Sequence, residues 1–186
     1  VTDDATSRAK AELRPQLLAT RHALCAARDR SADNHAVATL ARRLVEDLGL
    51  AAGSTVAAYE AMRTEPPTAA TIDALAAHGI RVIVPITLPD NDLDWCVAED
   101  ERRMPLGPDA ISTAGLVLVP GLAADRSGVR LGRGGGSYDR ALARRGTDAR
   151  VLVVLHPGEL LDAALPADDF DQPVDGVLTA DGVTLL

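Results

Sequence analysis

VPGLAADRSGVRLGRGGGSYDR, from Val119 to Arg140, is the stretch whose reading decides the fold. It continues the apolar run Leu116–Val119, which reads as a buried strand ending at Pro120. Between Arg126 and Gly136 eight residues are glycine or arginine, and the chain then enters SYDRALARR, a helical pattern over Ser137–Arg145. Strand, glycine loop and helix in that order are the unit of an α/β protein with a parallel sheet. Clustered glycines expose backbone N–H groups that can converge on an anion. A helix beginning just beyond them adds unpaired N–H groups and a positive dipole end. Arg130, Arg133 and Arg140 supply positive charge, and Asp139 supplies a hard oxygen ligand of the kind magnesium takes. Together these residues suggest a magnesium–polyphosphate site; a flexible surface turn is the other reading of the same stretch.

Two nucleotide motifs are excluded. Counting from Gly132 and Gly134, a dinucleotide fingerprint needs a third glycine at 137, where Ser137 stands. A P-loop needs a lysine after its glycines, and this loop has none.

Working outward, Ser7–Arg28 reads as an amphipathic helix with Leu13, Leu17, Leu18 and Leu24 on one stripe, and Pro15 marks either a kink or a delayed start. Ser31 is the expected N-cap of a second helix closed by Gly49. Strands are expected at Thr55–Tyr59, Ile80–Pro85, Arg150–Leu155 and Gly176–Thr179, with Leu93–Ala98 as an antiparallel edge and Val183–Leu185 beside the last. Helices are expected at Ala69–His78 and Pro157–Leu161, while Met104–Ser112 reads as irregular and Asp168–Asp171 as an acidic loop. This alternation predicts an α/β, three-layer sandwich with a mostly parallel sheet, Rossmann-like but without the dinucleotide fingerprint. No repeat, linker or low-complexity segment interrupts it, so residues 1–186 read as a single domain.

The chain is 47% hydrophobic but only 2% aromatic, so its core must be built from Ala, Val and Leu. A net charge of −8 argues against nucleic acid or a membrane surface as the main partner. No apolar run is long enough to span a bilayer, and residues 1–30 lack a signal-peptide core, which points to the cytoplasm. Cys25 and Cys96 are isolated and read as free thiols. Eighteen arginines stand against the single lysine, Lys10. His22, His35, His78 and His156 are dispersed with no ligand spacing, and Ser137 is not in a nucleophile elbow, so covalent hydrolase chemistry is unsupported.

The 119–140 stretch resembles the signature of the 5-formyltetrahydrofolate cyclo-ligase family, roughly P-G-L-x-F-D-x-x-G-x-R-L-G-[RY]-G-x-G-[YF]-Y-D. It departs from that pattern at Ala124, where an aromatic is usual, and at Ser137, where the first of two tyrosines usually stands; Gly135 often falls on a lysine. Three weaker matches extend the resemblance from Lys10 to Asp175. KAELR fits an opening K-x-x-x-R element, YEAMRTEPPT fits the loop after the first strand, and FDQPVDGVLT fits a closing acidic element in which Phe170 replaces a polar residue.

The resemblance implies an ATP- and magnesium-dependent ligase that converts 5-formyltetrahydrofolate to 5,10-methenyltetrahydrofolate with release of ADP and phosphate. Carried over residue by residue, it places Lys10 and Arg14 at the ATP phosphates and the folate. ATP would lie on Arg130, Leu131, Gly132, Arg133, Gly134, Gly135, Gly136, Ser137 and Tyr138, with Arg133 and Lys10 in catalysis. The folate would meet Arg14, Tyr59, Glu60, Met62, Glu65 and Arg133, together with Gly134–Ser137. Glu65 would hold the pterin's amino and ring N–H groups. Asp139 and Asp171 would carry magnesium, and Asp175 fits a structural role better. Two other readings stay open: a folate- or nucleotide-binding relative without turnover, and a phosphoryl-transfer enzyme with another substrate. Oligomeric state is not legible in the sequence.

Overall fold

Alternation of apolar side chains along short strands builds the central layer, because successive residues of a strand face opposite sides of the sheet. The computed structural model describes residues 4–186, so the first residues read above for a leader lie outside it. Its main sheet comprises β1 (Thr55–Ala57), β2 (Arg81–Thr87), β3 (Leu93–Val97), β4 (Ala114–Pro120), β7 (Arg150–Val154), β9 (Gly176–Thr179) and β10 (Gly182–Leu185). Strand order is β10-β9-β7-β4-β1-β2-β3. The five inner strands pair in parallel, and β3 and β10 close the edges antiparallel. Val82, Val84, Leu116, Leu118, Leu152 and Val154 face one side, packing on Val37, Ala41 and Val45 of α2 (Arg30–Asp47) and Leu75 of α3 (Ala69–Ala77). Their neighbours Ile83, Val117, Val119, Val151 and Val153 face the other, against Ala141 and Leu142 of α4 (Ser137–Leu142) and Ile111 of a 3-10 turn (Pro108–Thr113). Burying each such Val, Leu or Ile stabilises the fold by about 1.5–3 kcal/mol. The expected mixed α/β sandwich is what forms.

A smaller sheet, order β6-β5-β8, was not expected from the sequence. Its strands β5 (Ala123–Asp125), β6 (Arg130–Leu131) and β8 (Leu160–Leu161) lie in the glycine-loop stretch and just after β7. Asp125 turns the β5–β6 corner, its Oδ1 accepting from the Ser127 and Val129 N–H groups. The expected helix at Pro157–Leu161 is therefore corrected to a turn and a two-residue strand: Gly158 holds a left-handed φ of 95°, which stops a helix before its first full turn. The long helix α1 (Asp4–Ala27) packs Leu13 and Leu17 on this small sheet and contains Pro15 without ending there, so the start is not delayed. A buried ion pair anchors it further along: Arg21 bonds both Glu159 oxygens at 2.6 Å and the Gly121 carbonyl at 2.6 Å. The N-cap of α2 is Asp29 rather than Ser31, since the Asp29 carboxylate accepts from the Ser31 and Ala32 N–H groups.

Topology fixes where a ligand can sit. From β1 the chain moves outward to β2 and β3, then returns across β1 to β4 and continues the opposite way to β7 and β9. The order reverses between β1 and β4, and in open α/β sheets the crevice beyond the carboxyl ends of such strands is the binding site. The loop after β1 carries Tyr59–Glu65, and the chain after β4 carries the glycine stretch.

Candidate active site

A cleft of about 1010 Å³ opens at that point. Four separated segments supply most of its wall: Ser7, Lys10 and Arg14 from α1; Tyr59, Glu60, Met62 and Glu65 after β1; Arg130–Arg140 after β5; and Asp168–Gln172, with Pro85, Thr87, Leu93, Pro120, Gly121 and Ala143 completing it. Every residue singled out by the sequence for nucleotide, folate or metal lies on its wall.

The glycine loop is shaped around guanidinium groups. Gly134 and Gly136 hold φ of 104° and 66°, values that favour glycine, and Gly136 is the N-cap of α4. A Cβ on Gly134 would lie 3.1 Å from Cζ of Arg14, and one on Gly136 would lie 3.0 Å from Nη1 of Arg140. Arg14 donates through Nε to the Gly132 carbonyl at 3.0 Å, and Arg140 donates to the carbonyls of Gly135 at 3.3 Å and Asn91 at 2.6 Å. α4 has only six residues, and Ser137 is its first residue rather than its cap.

Arg130 is nearly buried. It donates to Asp139 Oδ1 at 2.8 Å and to the Pro120 carbonyl at 3.2 Å, and lies 6.0 Å from the centre of the Tyr138 ring. It orients Asp139. The Gln172 N–H donates to the same Asp139 oxygen at 3.2 Å. Lys10, 6% exposed, reaches across from α1 to Asp171 at 2.5 Å and Asp168 at 2.8 Å. Burial disfavours the Lys10 ammonium, but the hydrogen bonds to Asp168 and Asp171 outweigh it and its pKa is raised. The hydrogen bond from Lys10 in turn holds the Asp168 carboxyl below its ordinary range.

A magnesium ion at Asp139 and Asp171 fits the donor chemistry. Among the described residues, each carboxylate commits one oxygen, Oδ1 of Asp139 and Oδ2 of Asp171, and its other oxygen accepts no bond. No group of three or more His, Cys, Asp or Glu side chains among those residues is arranged for a metal. Two carboxylates completed by phosphate oxygens and water are how magnesium is held in many nucleotide sites.

At the other end Glu65, 6% exposed, is fixed by the Met62 N–H at 2.9 Å, and Arg133 lies 3.4 Å from its second oxygen. Arg30 holds this loop by donating to the carbonyls of Glu65 at 2.7 Å and Met62 at 3.3 Å. Burial raises the Tyr59 and Tyr138 phenols, and the Glu65 charge adds to both shifts. The Tyr59 hydroxyl donates to the Pro66 carbonyl at 3.2 Å and is committed to the loop. Glu60 is exposed and locked in a two-point pair with Arg103, 3.0 Å at each contact. Asp175 accepts from the Val151 N–H at 2.7 Å and braces β7.

Sequence reasoning missed the partners of these residues. Asp168, Arg30, Arg103 and Gln172 act on positions far away in the chain, and only the acidic spacing Asp168–Asp171 offered a signal. His156 is not among the residues that line the cleft: its Nε2 lies 3.2 Å from the Thr64 carbonyl, and burial lowers its pKa.

Comparison with known proteins shows the family and the fold. The model of the 5-formyltetrahydrofolate cyclo-ligase family matches residues 6–180. A 5-formyltetrahydrofolate cyclo-ligase of Mycolicibacterium smegmatis is 39% identical over 144 residues, covering 68% of this chain and 74% of that protein. A mitochondrial one from Arabidopsis thaliana is 32% identical over 123 residues, covering 60% of this chain and 40% of that protein. Among solved structures, a 5,10-methenyltetrahydrofolate synthetase of Mycoplasma pneumoniae superposes with a TM-score of 0.70 at 22% identity, covering 92% of this chain and 98% of that one. That of Aquifex aeolicus gives 0.68 at 21% identity, covering 95% and 92%. The two structural matches show the fold alone. The family model spans every residue that lines the cleft, and by that match the chain belongs to the 5-formyltetrahydrofolate cyclo-ligase family.

Proposed function

We propose that the protein converts 5-formyltetrahydrofolate and ATP to 5,10-methenyltetrahydrofolate, ADP and phosphate in this cleft. The observation that carries the reading is that four distant segments, each matched to a family motif, converge at the switch point of the sheet. A formamide carbon is a poor electrophile because nitrogen donates into its carbonyl. Transfer of the γ-phosphoryl group onto the formyl oxygen converts that oxygen into a leaving group. The folate's N10 then attacks the same carbon, loses its proton, and phosphate departs as the ring closes. No protein nucleophile is needed; the protein's share is positioning and charge neutralisation.

Glu65 receives the pterin's amino and ring N–H groups, a task suited to a buried carboxylate with two parallel acceptors. Tyr59 and Met62 flank the ring, and Glu60, paired with Arg103, lies at the rim. Arg133, between Glu65 and the glycine loop, is placed to follow the phosphoryl group from ATP to the formyl oxygen. Lys10 and Arg14 approach the phosphates from α1, while Arg130 and Leu131 begin the loop that Gly132–Tyr138 completes. Asp139 and Asp171 would hold magnesium, which supplies neutralisation of phosphate charge. A single domain over residues 1–186 is part of this reading, supported by the family match over 6–180. So is a cytoplasmic setting, with which the free thiols of Cys25 and Cys96 agree. No helix among the described residues is long and apolar enough to cross a membrane.

The test is to mix protein, ATP, magnesium and 5-formyltetrahydrofolate and follow the methenyl absorbance band with ADP release. Equal amounts of both are expected. ADP without the methenyl product would mean another acceptor, and nucleotide binding without either would mean a relative that lacks turnover.

A further inference from the structure

The chain's single phenylalanine sits where the fold gives it nothing to pack on. Phe170 is 69% exposed, lines the cleft, and belongs to none of the three apolar clusters of the core. Its loop is nonetheless tightly held. Asp168 Oδ1 accepts from the Phe170 N–H at 3.0 Å, Asp171 Oδ2 accepts from the Asp168 N–H at 2.8 Å, and Lys10 clamps both carboxylates. A ring carried on a braced loop and exposed to an open cleft is a surface suited to an aromatic ligand.

Which ligand follows from the order of contacts along the cleft. Glu65 at one end meets Arg133; Arg133 belongs to the glycine loop; that loop leads to Asp139; Asp139 shares Gln172 with the acidic loop; and Asp171 and Asp168 meet Lys10. Phe170 stands between Asp168 and Asp171 in the loop that Lys10 clamps, on the stretch of the cleft that carries these phosphate-side residues. If the pterin is at Glu65 and the phosphates lie across the loop, the γ-phosphate faces the folate and the nucleotide base lies beyond Lys10. We infer that Phe170 is the stacking platform for the adenine ring and sets the preference for a purine nucleotide over bare polyphosphate. This rests on the proposed cyclo-ligase reading and adds the residue that recognises the base.

The experiment compares wild type, F170A and F170Y by calorimetry with magnesium–ATP, magnesium–tripolyphosphate and 5-formyltetrahydrofolate. F170A should weaken ATP binding about tenfold, the ratio given by losing one base–aromatic stack of ordinary strength. Tripolyphosphate and folate affinities should stay at wild-type values, F170Y should restore ATP binding, and the unfolding midpoint of F170A should not move. Unchanged ATP affinity in F170A overturns the inference, as does an equal loss for ATP and tripolyphosphate, or a loss confined to folate. Each of those leaves the cyclo-ligase reading intact. Wild-type protein that binds no nucleotide would overturn that reading and this inference together.

Discussion

Replacing Lys10 with methionine keeps the length of the side chain and removes the one charge that holds two acidic groups together. In the folded protein Lys10 lies 2.8 Å from Asp168 and 2.5 Å from Asp171. At an effective dielectric of about 20, one such contact is worth roughly 6 kcal/mol before desolvation is subtracted. Removing one partner of a fully buried pair costs about 3–5 kcal/mol. Here the carboxylates keep 20% and 19% of their side-chain surface in water, so screening lowers the expected loss to about 2–3 kcal/mol. For a chain of this size that is a fall in the unfolding midpoint of about 4–12 °C. The pH dependence has a defined sign. The folded Asp168 pKa is depressed, so its contribution is present above its unfolded value of about 3.9 and is lost as pH falls through the lower folded value. The folded Lys10 pKa is raised, so its contribution is complete below about 10.4 and is lost only as pH rises through the folded value. Thermal unfolding followed by circular dichroism should therefore show a large gap between wild type and K10M near pH 7 that narrows as pH falls below about 3.9. Adding D168N to K10M should recover part of the loss. A K10M midpoint equal to or above wild type near pH 7 would refute the argument.

Glu65→Gln should weaken folate binding about tenfold to a hundredfold and leave ATP affinity nearly alone, because an amide replaces one of the two acceptor oxygens with an NH2 donor facing a pterin N–H; normal folate affinity by calorimetry would remove Glu65 from the site. Asp139→Asn and Asp171→Asn should each weaken magnesium–ATP binding, and unchanged affinity in both would reject the metal assignment. Ser137→Tyr should raise cyclo-ligase activity through a lower KM for folate with little effect on ATP. No residue of 104–112 lines the cleft, so that loop does not fill the space a tyrosine would take; a drop in steady-state activity would sink the idea.

Much of the fold was legible because its inner strands are runs of Val, Leu and Ile that must be covered on both faces. Leu116–Val119 and Arg150–Val154 announce themselves in this way. The small sheet was not legible: β6 and β8 have two residues each, too few to show a period of two. The Pro157-Gly158 pair looked like a helix start, yet the positive φ at Gly158 was the deciding feature. Site residues on the glycine loop could be read because glycine spacing, arginine and acid are local signals. Their supports could not. Lys10 meets Asp168 and Asp171 across 158 and 161 residues, and Arg21 meets Glu159 across 138, so only the fold brings them together. Glu60 shows the same limit in reverse, because its neighbours in sequence gave no hint of Arg103.

The most direct test of the central claim follows one oxygen atom. With 5-formyltetrahydrofolate labelled with heavy oxygen in the formyl group, the proposed route sends that oxygen onto phosphorus and out with the leaving group. Mass spectrometry should then find one heavy oxygen in each inorganic phosphate formed, matched to each methenyl product. Methenyl product accompanied by unlabelled phosphate, with the heavy oxygen released as water, would contradict phosphorylation of the formyl oxygen.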